Sequence, residues 1–362
     1  MALTEATIQA ALHELIDLNT GKTFAAGKSI KKIELNGNDV TIVVELPYPA
    51  KSVFDDIRAA FKNCLAAVPG LGNATIDVSS KILSHAAQTN VKLIPGVRNI
   101  IAVASGKGGV GKSTTAVNLA LALAAEGANV GMLDADIYGP SQPTMLGLSG
   151  KPETLDGKTM EPKINHGIQA MSIGFLIDAE TPMVWRGPMV TGALEQLLRD
   201  TNWKDLDYLV VDLPPGTGDI QLTLAQRVPV TGAVIVTTPQ DIALLDARKG
   251  LKMFEKVNVP ILGIVENMST HICSNCGHEE SIFGSGGGMR MAADYNLDVL
   301  GSLPLTLQIR EQTDSGNPTV IADPDGAIAK IYKQIARRVA VKISELQKDM
   351  SSKFPKIVIQ NT

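Results

Sequence analysis

The chain has 362 residues, 44% of them hydrophobic and 19% charged, a composition typical of a soluble globular protein with room for two or three domains. Its 33 Lys and Arg residues against 37 Asp and Glu give a net charge of −4, which disfavours a nucleic-acid partner. Three cysteines are too few for a disulfide scaffold, no apolar run is long enough to cross a membrane, and the start lacks a hydrophobic signal core. We therefore expect a cytoplasmic protein without a membrane partner.

Residues 1–87 are predicted to form a small α+β domain. Its first helix is indicated by five apolar residues at helical spacing, which are Ile8, Ala11, Leu12, Leu15 and Ile16. A β-hairpin around Gly37, a second amphipathic helix over 52–67 and a strand over 74–78 follow. Cys64 lies on the apolar face of that second helix and is interpreted as a core residue.

Residues 88–98 are predicted to link this domain to a larger one, residues 99–348, and residues 349–362 are predicted to be a tail. In the larger domain, apolar strands alternate with helices, the order typical of a mostly parallel sheet covered by helices on both faces. The predicted strands cover residues 99–105, 129–134, 207–213, 232–238, 261–266 and 298–303. A helix over 325–348 closes the domain. Ligands of such sheets bind beyond the carboxyl ends of the strands.

The first of these strands runs into the sequence GKGGVGKST, and a helix-forming segment follows it. The pattern G-x-x-x-x-G-K-[ST] between a strand and a helix is typical of a phosphate-binding loop. Glycines let backbone N–H groups converge on phosphate oxygens, and the helix presents its positive end to the same anion. Lys112 is predicted to neutralise the β- and γ-phosphates, and the Ser113 hydroxyl to hold Mg²⁺. The nucleotide-binding candidates in the loop are Gly106, Lys107, Gly108, Gly109, Val110, Gly111, Lys112, Ser113 and Thr114.

Three polar residues follow other predicted strands and are further candidates for this site. Asp136 comes just after the second strand, where a carboxylate can position Mg²⁺ or orient the attacking water. Asp212 comes at the end of the apolar run LVVD, as a Walker B magnesium ligand requires. Asn267 follows the strand over 261–266 and is a candidate adenine contact, because an amide both donates and accepts. A loop-capping role for Asn267 stays open as an alternative.

Cys273 and Cys276 form a C-x-x-C pair flanked by His271 and His278. Two thiolates can ligate one metal centre, but a closed zinc site or a 4Fe–4S cluster takes about four protein ligands. Three solutions stay open: a zinc site completed by the two histidines, a redox disulfide, or a cluster shared by two chains that each contribute two sulfurs. Spacing alone does not choose between zinc and cluster.

A set of motifs over residues 98–330 resembles the Mrp/ApbC iron–sulfur cluster carrier ATPases, which are related to MinD, ParA and the nitrogenase iron protein. The motifs are GKGGVGKST with its second lysine, LDADIYGPSQPTMLG, VWRGPM, DYLVVDLPPGTGDIQLTLAQ, TTPQDIALLDARKG, GIVENMSTHICSNCGHE and IFGSGGG. The first ninety residues are similar to the small metal–sulfur-cluster assembly domain that precedes the ATPase in bacterial members. The implied fold is α/β: a P-loop NTPase with a mostly parallel sheet and helices on both faces, preceded by a small α+β domain.

The resemblance also implies an activity. Members bind ATP with Mg²⁺ and hydrolyse it slowly, hold a labile 4Fe–4S cluster between two C-x-x-C pairs of a homodimer, and pass it to apo iron–sulfur proteins. Lys112 and Asp136 then act in hydrolysis, Lys107 reaches across the dimer to the other subunit's nucleotide, and Cys273 and Cys276 bind the cluster. On charge grounds alone, Lys107 is an ordinary solvated lysine. The implied partners are a second copy, the iron–sulfur assembly machinery and apo acceptor proteins.

A second hypothesis is a positioning ATPase switch like MinD or ParA, with a structural zinc at the cysteine pair. A MinD-like role needs a basic amphipathic tail, whereas residues 351–357 form a short stretch that contains a proline. A ParA-like role needs a basic surface that faces DNA, which the net charge of −4 does not favour. The metal content of anaerobically purified protein separates the two hypotheses.

Overall fold

The computed structural model of the chain describes residues 3–85, 91–176, 187–273 and 275–347. Several sequence-based predictions fall outside these ranges, namely the tail (349–362), the last residue of the closing helix (348), part of the linker (88–90) and residues 184–186 of the VWRGPM motif. Within the described ranges, no helix is both long and apolar enough to span a bilayer.

The N-terminal unit is a three-stranded sheet with two helices packed on one face. Its elements are α1 (Glu5–Leu12), β1 (Ile16–Asp17), β2 (Lys22–Thr23), β3 (Ile30–Asn36), β4 (Asp39–Leu46), a 3₁₀ turn (Lys51–Val53), α2 (Phe54–Leu65) and β5 (Ala74–Ser80). β3 and β4 pair antiparallel around Gly37 as predicted, and β5 lies parallel to β4. Every second side chain of β4 is buried, because only one face of this sheet is covered.

The prediction for the first helix is wrong at its end. The helix stops at Leu12, and Ile16, expected on its apolar face, begins β1 and is half-exposed. The reason lies in the next residue, Asp17, which is buried. Its carboxylate accepts hydrogen bonds from the Tyr48 hydroxyl and from the backbone N–H of Asn19, and these hold the chain in a turn that a helix would not permit. Cys64 packs against the core as expected, and its thiol donates to the Ala11 carbonyl.

The larger domain is built on an eight-stranded sheet in the order β15-β12-β11-β6-β10-β7-β9-β8, in which only β8 is antiparallel to its neighbour. Its strands are β6 (Val97–Ala104), β7 (Val130–Asp134), β8 (Lys163–Asn165), β9 (Ile168–Ser172), β10 (Leu206–Asp212), β11 (Gly232–Thr237), β12 (Ile261–Glu266) and β15 (Val299–Ser302). The helices are α3 (Lys112–Ala125), α4 (Gln142–Met145), α5 (Gly187–Asp200), α6 (Asp219–Arg227), α7 (Asp241–Lys256), α8 (Gly287–Tyr295), α9 (Leu307–Asp314), α10 (Thr319–Ala322) and α11 (Ala327–Ser344). A small hairpin, β13 (His271–Ile272) and β14 (Glu279–Glu280), leaves the sheet after β12.

The six predicted strands of this sheet are all present, each within two residues of its predicted ends. They could be predicted because their side chains are buried on both faces and read as continuous apolar runs. The edge strand β8, its neighbour β9 and the β13–β14 hairpin were not predicted. β8 and the hairpin are short and largely exposed, so their sequences carry no apolar signal. β6 begins at Val97, inside the segment predicted as a linker, and the division of the chain near residue 88 stays a prediction.

Side chains of the central strands alternate between two cores. In β6, Ile101 and Val103 join a core formed with α3 and α11, whereas Ile100 and Ala102 join a second core formed with α5 to α8. The core of the N-terminal unit is continuous with the first of these. The predicted closing helix is α11, and its Ile335 is fully buried.

The N-terminal unit also contacts the larger domain through Glu126, directly after α3. The Glu126 carboxylate accepts hydrogen bonds from the Ser52 N–H (3.0 Å) and hydroxyl (2.6 Å), and it pairs with Arg337 of α11 at 2.5 Å. The Glu126 carbonyl accepts from the Lys51 N–H at 3.1 Å. Because α3 begins at the predicted phosphate-binding loop, the N-terminal unit contacts the opposite end of the same helix.

Candidate nucleotide site and cysteine hairpin

The predicted phosphate-binding loop joins β6, near the middle of the sheet, to the start of α3. Gly109 and Gly111 have positive φ angles, +82° and +79°, which favour glycine. A Cβ on Gly111 would also overlap the amide nitrogen of Asn267, and one on Gly106 would overlap the backbone of Asp246 in α7. These glycines therefore let the loop backbone turn tightly, and they let Asn267 and α7 pack directly against it. Gly108 is exposed in this loop, Val110 is buried, and Thr114 is half-buried in the first turn of α3.

Four of the predicted residues meet at the start of α3. The Lys112 amine lies 2.5 Å from Asp212 Oδ1, 3.2 Å from the Ser113 hydroxyl and 3.9 Å from Asp136 Oδ2. Asp212 is completely buried, and the Lys112 side chain is nearly so. They come together because β7 and β10 are parallel neighbours whose carboxyl ends lie at the same edge of the sheet.

Asp134, the last residue of β7, organises the segment that carries Asp136, and the sequence did not identify it as a site residue. Its buried carboxylate accepts hydrogen bonds from the N–H groups of Asp136, Ser141 and Gln142 and from the Ser172 hydroxyl, at 3.0 to 3.1 Å. Burial, and then the neighbouring Asp212 charge, raises the pKa of Asp134 to about 7. Burial also raises the pKa of Asp136, although the Lys112 amine opposes that shift.

Gln142, the first residue of α4, is a second residue that the sequence did not identify. Its amide nitrogen donates to Asp212 Oδ2 at 2.9 Å and to the Ser113 carbonyl at 3.1 Å. Its amide oxygen and the hydroxyl of Ser141 are buried without a partner in the described structure. Mg²⁺ prefers oxygen ligands and keeps several of its waters. The hydroxyl of Ser113 and the carboxylate of Asp212 therefore suit a hydrated Mg²⁺ ion, and the unsatisfied amide oxygen of Gln142 belongs to a side chain that contacts both residues.

Lys107 and Asn267 are placed differently from each other. Lys107 is exposed on the loop, and within the described residues its amine has no hydrogen bond or ion pair. Asn267 is buried, and its amide nitrogen donates to the Val110 carbonyl of the loop at 2.9 Å. The adenine contact predicted for Asn267 stays a prediction.

The C-x-x-C pair lies at the tip of the β13–β14 hairpin, with Cys273 half-buried and Cys276 exposed. The Cys273 N–H donates to the His278 carbonyl at 2.9 Å, which closes the tip. Hydrogen bonds from the N–H groups of Cys276 and Asn275 lower the pKa of the Cys273 thiol. The ring nitrogen Nδ1 of His271 lies 3.2 Å from the Leu305 carbonyl oxygen. Among the described residues, no three His, Cys, Asp or Glu side chains are grouped so that they could hold a metal ion, so a single-chain zinc site with both histidines is not assembled.

A glycine-rich loop between a buried strand and a helix, set in a mostly parallel sheet with an acid at the end of a neighbouring strand, defines a P-loop NTPase. Residues 96–340 match the family model described as NUBPL iron-transfer P-loop NTPase, and the chain belongs to this family. The fold class and the family resemblance drawn from the sequence are thereby confirmed. Residues 5–78 match a second model, described as iron-sulfur cluster assembly protein.

Similar proteins come from both bacteria and archaea. An iron-sulfur cluster carrier protein of Pseudomonas fragi is 62% identical over 269 residues, which cover 74% of this chain and 94% of the relative. The protein of the same name from Escherichia coli K12 is 56% identical over 308 residues, 84% of each chain. Among solved structures, a nucleotide-binding protein from Archaeoglobus fulgidus in complex with ADP is 37% identical, with a TM-score of 0.57 over 65% of this chain and 92% of that one.

Proposed function

We propose that this chain is an ATP-dependent iron–sulfur cluster carrier. As a homodimer it binds and slowly hydrolyses ATP, receives a labile 4Fe–4S cluster from the assembly machinery, and delivers it to apo iron–sulfur proteins in the cytoplasm. The observation that carries this proposal is the pair Cys273, half-buried, and Cys276, exposed, at the tip of a hairpin. The hairpin begins four residues after Asn267, which contacts the phosphate-binding loop. Two relatives named iron-sulfur cluster carrier protein support the same role.

The side chains around the loop account for ATP binding and hydrolysis. Lys112, now paired with Asp212, exchanges that carboxylate for the β- and γ-phosphates, and Asp212 and Ser113 are then free to hold Mg²⁺. The metal, when bound, neutralises charge on the phosphates. Asp136 has a raised pKa and lies beside the same amine, a position from which its carboxylate can accept a hydrogen bond from the attacking water.

The cluster is cargo, and its site is complete only in a dimer. A 4Fe–4S cluster takes four thiolates, and each chain offers two at the hairpin tip. The lowered pKa of Cys273 favours the thiolate that binds iron. Ile272 and Ile282, in and beside the hairpin, are exposed apolar side chains that a second copy would cover. Ligands from two subunits can be withdrawn by a rigid-body movement, which suits a carrier that must release its cargo.

Anaerobic reconstitution with iron and sulfide tests the ligand assignment. We expect the wild-type protein to become brown, to contain about four iron atoms per dimer and to elute as a dimer. Cys273→Ala should lose the iron, whereas Cys64→Ala, which changes a core thiol of the N-terminal unit, should keep it. Iron retained by Cys273→Ala would overturn the ligand assignment, and a cluster-bearing monomer would overturn the dimer. Stoichiometric zinc without iron would favour the positioning switch instead.

Lys107 tests the role of the second copy in hydrolysis. Its side chain is exposed and makes no hydrogen bond or ion pair within the described residues, so Lys107→Ala should leave the thermal unfolding of the protein unchanged. If Lys107 reaches the nucleotide of the partner, ATP turnover should fall by at least about tenfold, the effect of losing one charge contact to a transferring phosphoryl group. Lys151→Ala, a change at another exposed lysine, is the matched control and should keep wild-type turnover. Equal turnover in both variants would show that Lys107 does not act in trans.

A further inference from the structure

Gln142 connects two parts of the proposed nucleotide site. Its amide nitrogen donates to the Asp212 carboxylate and to the Ser113 carbonyl, so it joins the end of β10 to the first turn of α3. Both neighbours are acceptors, so the atom of the amide that faces them is the nitrogen and not the oxygen. The side chain is buried, with 2% of the residue exposed.

The amide oxygen of Gln142 is buried and has no partner in the described structure. A buried acceptor without a hydrogen bond costs about 1–3 kcal/mol, so this oxygen can gain free energy from a donor placed beside it. The oxygen lies close to the proposed metal site. The oxygen and nitrogen of an amide are about 2.2 Å apart, and the nitrogen is 2.9 Å from Asp212 Oδ2. The two oxygens are therefore at most about 5 Å apart, a gap that one water molecule can bridge.

The position of Gln142 is fixed from the backbone side. Asp134 accepts the Gln142 N–H at 3.1 Å and the Ser141 N–H at 3.0 Å, which ties the start of α4 to the end of β7. Pro143 follows in the first turn of α4, where its missing N–H has no cost. The backbone of Gln142 is therefore held by the end of β7, while its side-chain amide contacts Asp212 at the end of the neighbouring strand β10.

We infer that Gln142 is a positioning residue for Mg²⁺, an inference that rests on the proposed ATP site. Its nitrogen orients the Asp212 carboxylate, and its oxygen accepts a hydrogen bond from a water bound to the metal. Such a residue leaves nucleotide binding without metal unchanged and strengthens binding of the metal. Residues that hold metal ligands in this way typically contribute 10–100-fold to metal affinity.

Metal affinity, measured apart from turnover, tests this inference. Mn²⁺ binding to the protein–ADP complex is followed by electron paramagnetic resonance, and ADP binding is measured by calorimetry in EDTA. In Gln142→Met, which keeps the side-chain volume, we expect Mn²⁺ affinity to fall at least about tenfold and ADP affinity in EDTA to stay within about twofold of wild type. Gln142→Asn, whose amide is one methylene too short to reach both partners, should lower Mn²⁺ affinity in the same way. Gln169→Leu is the control, because Gln169 hydrogen-bonds Lys204 away from the site.

The outcomes separate the inference from the function on which it rests. Wild-type Mn²⁺ affinity in Gln142→Asn, or in a folded Gln142→Met, would overturn the inference and leave the ATP site standing. If the wild-type protein bound neither ADP nor Mn²⁺–ADP, the proposed ATP site itself would be wrong. A Gln142→Met variant that loses ADP binding in EDTA would show a structural role and would also overturn the inference.

Discussion

The ion pair between Glu126 and Arg337 is expected to make a large contribution to stability, and Arg337→Met tests this. The Glu126 side chain is completely buried and the Arg337 side chain is 13% exposed, with 2.5 Å between Oε1 and the guanidinium nitrogen. Without the arginine, the donors left to the buried carboxylate among the described residues are the N–H and hydroxyl of Ser52. The carboxylate also lies at the C-terminal end of α3, where a negative charge is unfavourable. Breaking a buried pair in this way costs about 3–5 kcal/mol.

We expect the lower end of that range, about 3 kcal/mol, because the partial exposure of Arg337 lets water reach the carboxylate. The assay is urea unfolding followed by circular dichroism at constant pH and salt. Arg310→Met is the control: Arg310 pairs with exposed Glu311 and Asp314, so its loss should cost less than about 0.5 kcal/mol. Adding Glu126→Gln to Arg337→Met removes the unpaired charge, so the double variant should lose less than the sum of the single losses. Additive losses, or a loss under about 1 kcal/mol in Arg337→Met, would refute the reasoning.

Three further predictions concern the nucleotide site and the hairpin. Gly111→Ala should weaken nucleotide binding, because the new Cβ overlaps the Asn267 amide that packs on the phosphate-binding loop. Gly21 also has a positive φ but has open space around it, so Gly21→Ala should keep binding while sharing the backbone cost of about 1–2 kcal/mol. The second prediction concerns a variant that keeps Cys273 as its single cysteine. N–H groups of the hairpin tip lower the pKa of the Cys273 thiol, so the alkylation rate should reach half its maximum below about pH 8.5, the value for a free thiol. A midpoint at or above that pH would contradict the lowered pKa. Asp134 has a folded pKa of about 7, above its unfolded value, so its ionisation destabilises the fold increasingly from about pH 4 to pH 7. The free energy of unfolding of Asp134→Asn minus that of wild type, measured without metal or nucleotide, should therefore rise from about pH 4 to pH 7 and stay constant above pH 7. A difference that does not change with pH would refute the raised pKa of Asp134.

The sequence alone could predict the parts of the site that carry their own local pattern. The phosphate-binding loop has a fixed glycine and lysine spacing, and Asp212 ends an apolar strand. Gln142 has no such pattern. Its contact with Asp212 joins residues 70 positions apart and exists because β7 and β10 happen to be neighbours in the sheet. Asp134 was missed for a similar reason, since a carboxylate at a strand end gives no sign of whether backbone N–H groups will surround it.

The helix error at Ile16 has a different cause. The apolar residues from Ile8 to Ile16 do fit a helical period, and only tertiary contacts overrule it. Tyr48 reaches back from beyond β4 to bind the Asp17 carboxylate, a contact across 31 residues that local periodicity cannot contain. The cysteine hairpin is likewise held by contacts outside itself, because the N–H of Leu305 donates to the Thr270 carbonyl beside its base.

The segment after β12 connects the nucleotide site to the cysteine hairpin over a few residues of sequence. Asn267 binds the loop carbonyl of Val110, the Glu266 carboxylate accepts the N–H of Gly288 at the start of α8, and Cys273 follows six residues after Asn267. A ligand shifts a conformational equilibrium only if it binds the two states with different affinity. ATP can therefore influence cluster binding through this segment only if phosphates in the loop change the contact between Val110 and Asn267. Asn267→Ala removes that contact, so it should abolish any effect of ATP on iron release while ATP still binds, and an undiminished effect would mean that the coupling runs through the dimer interface instead.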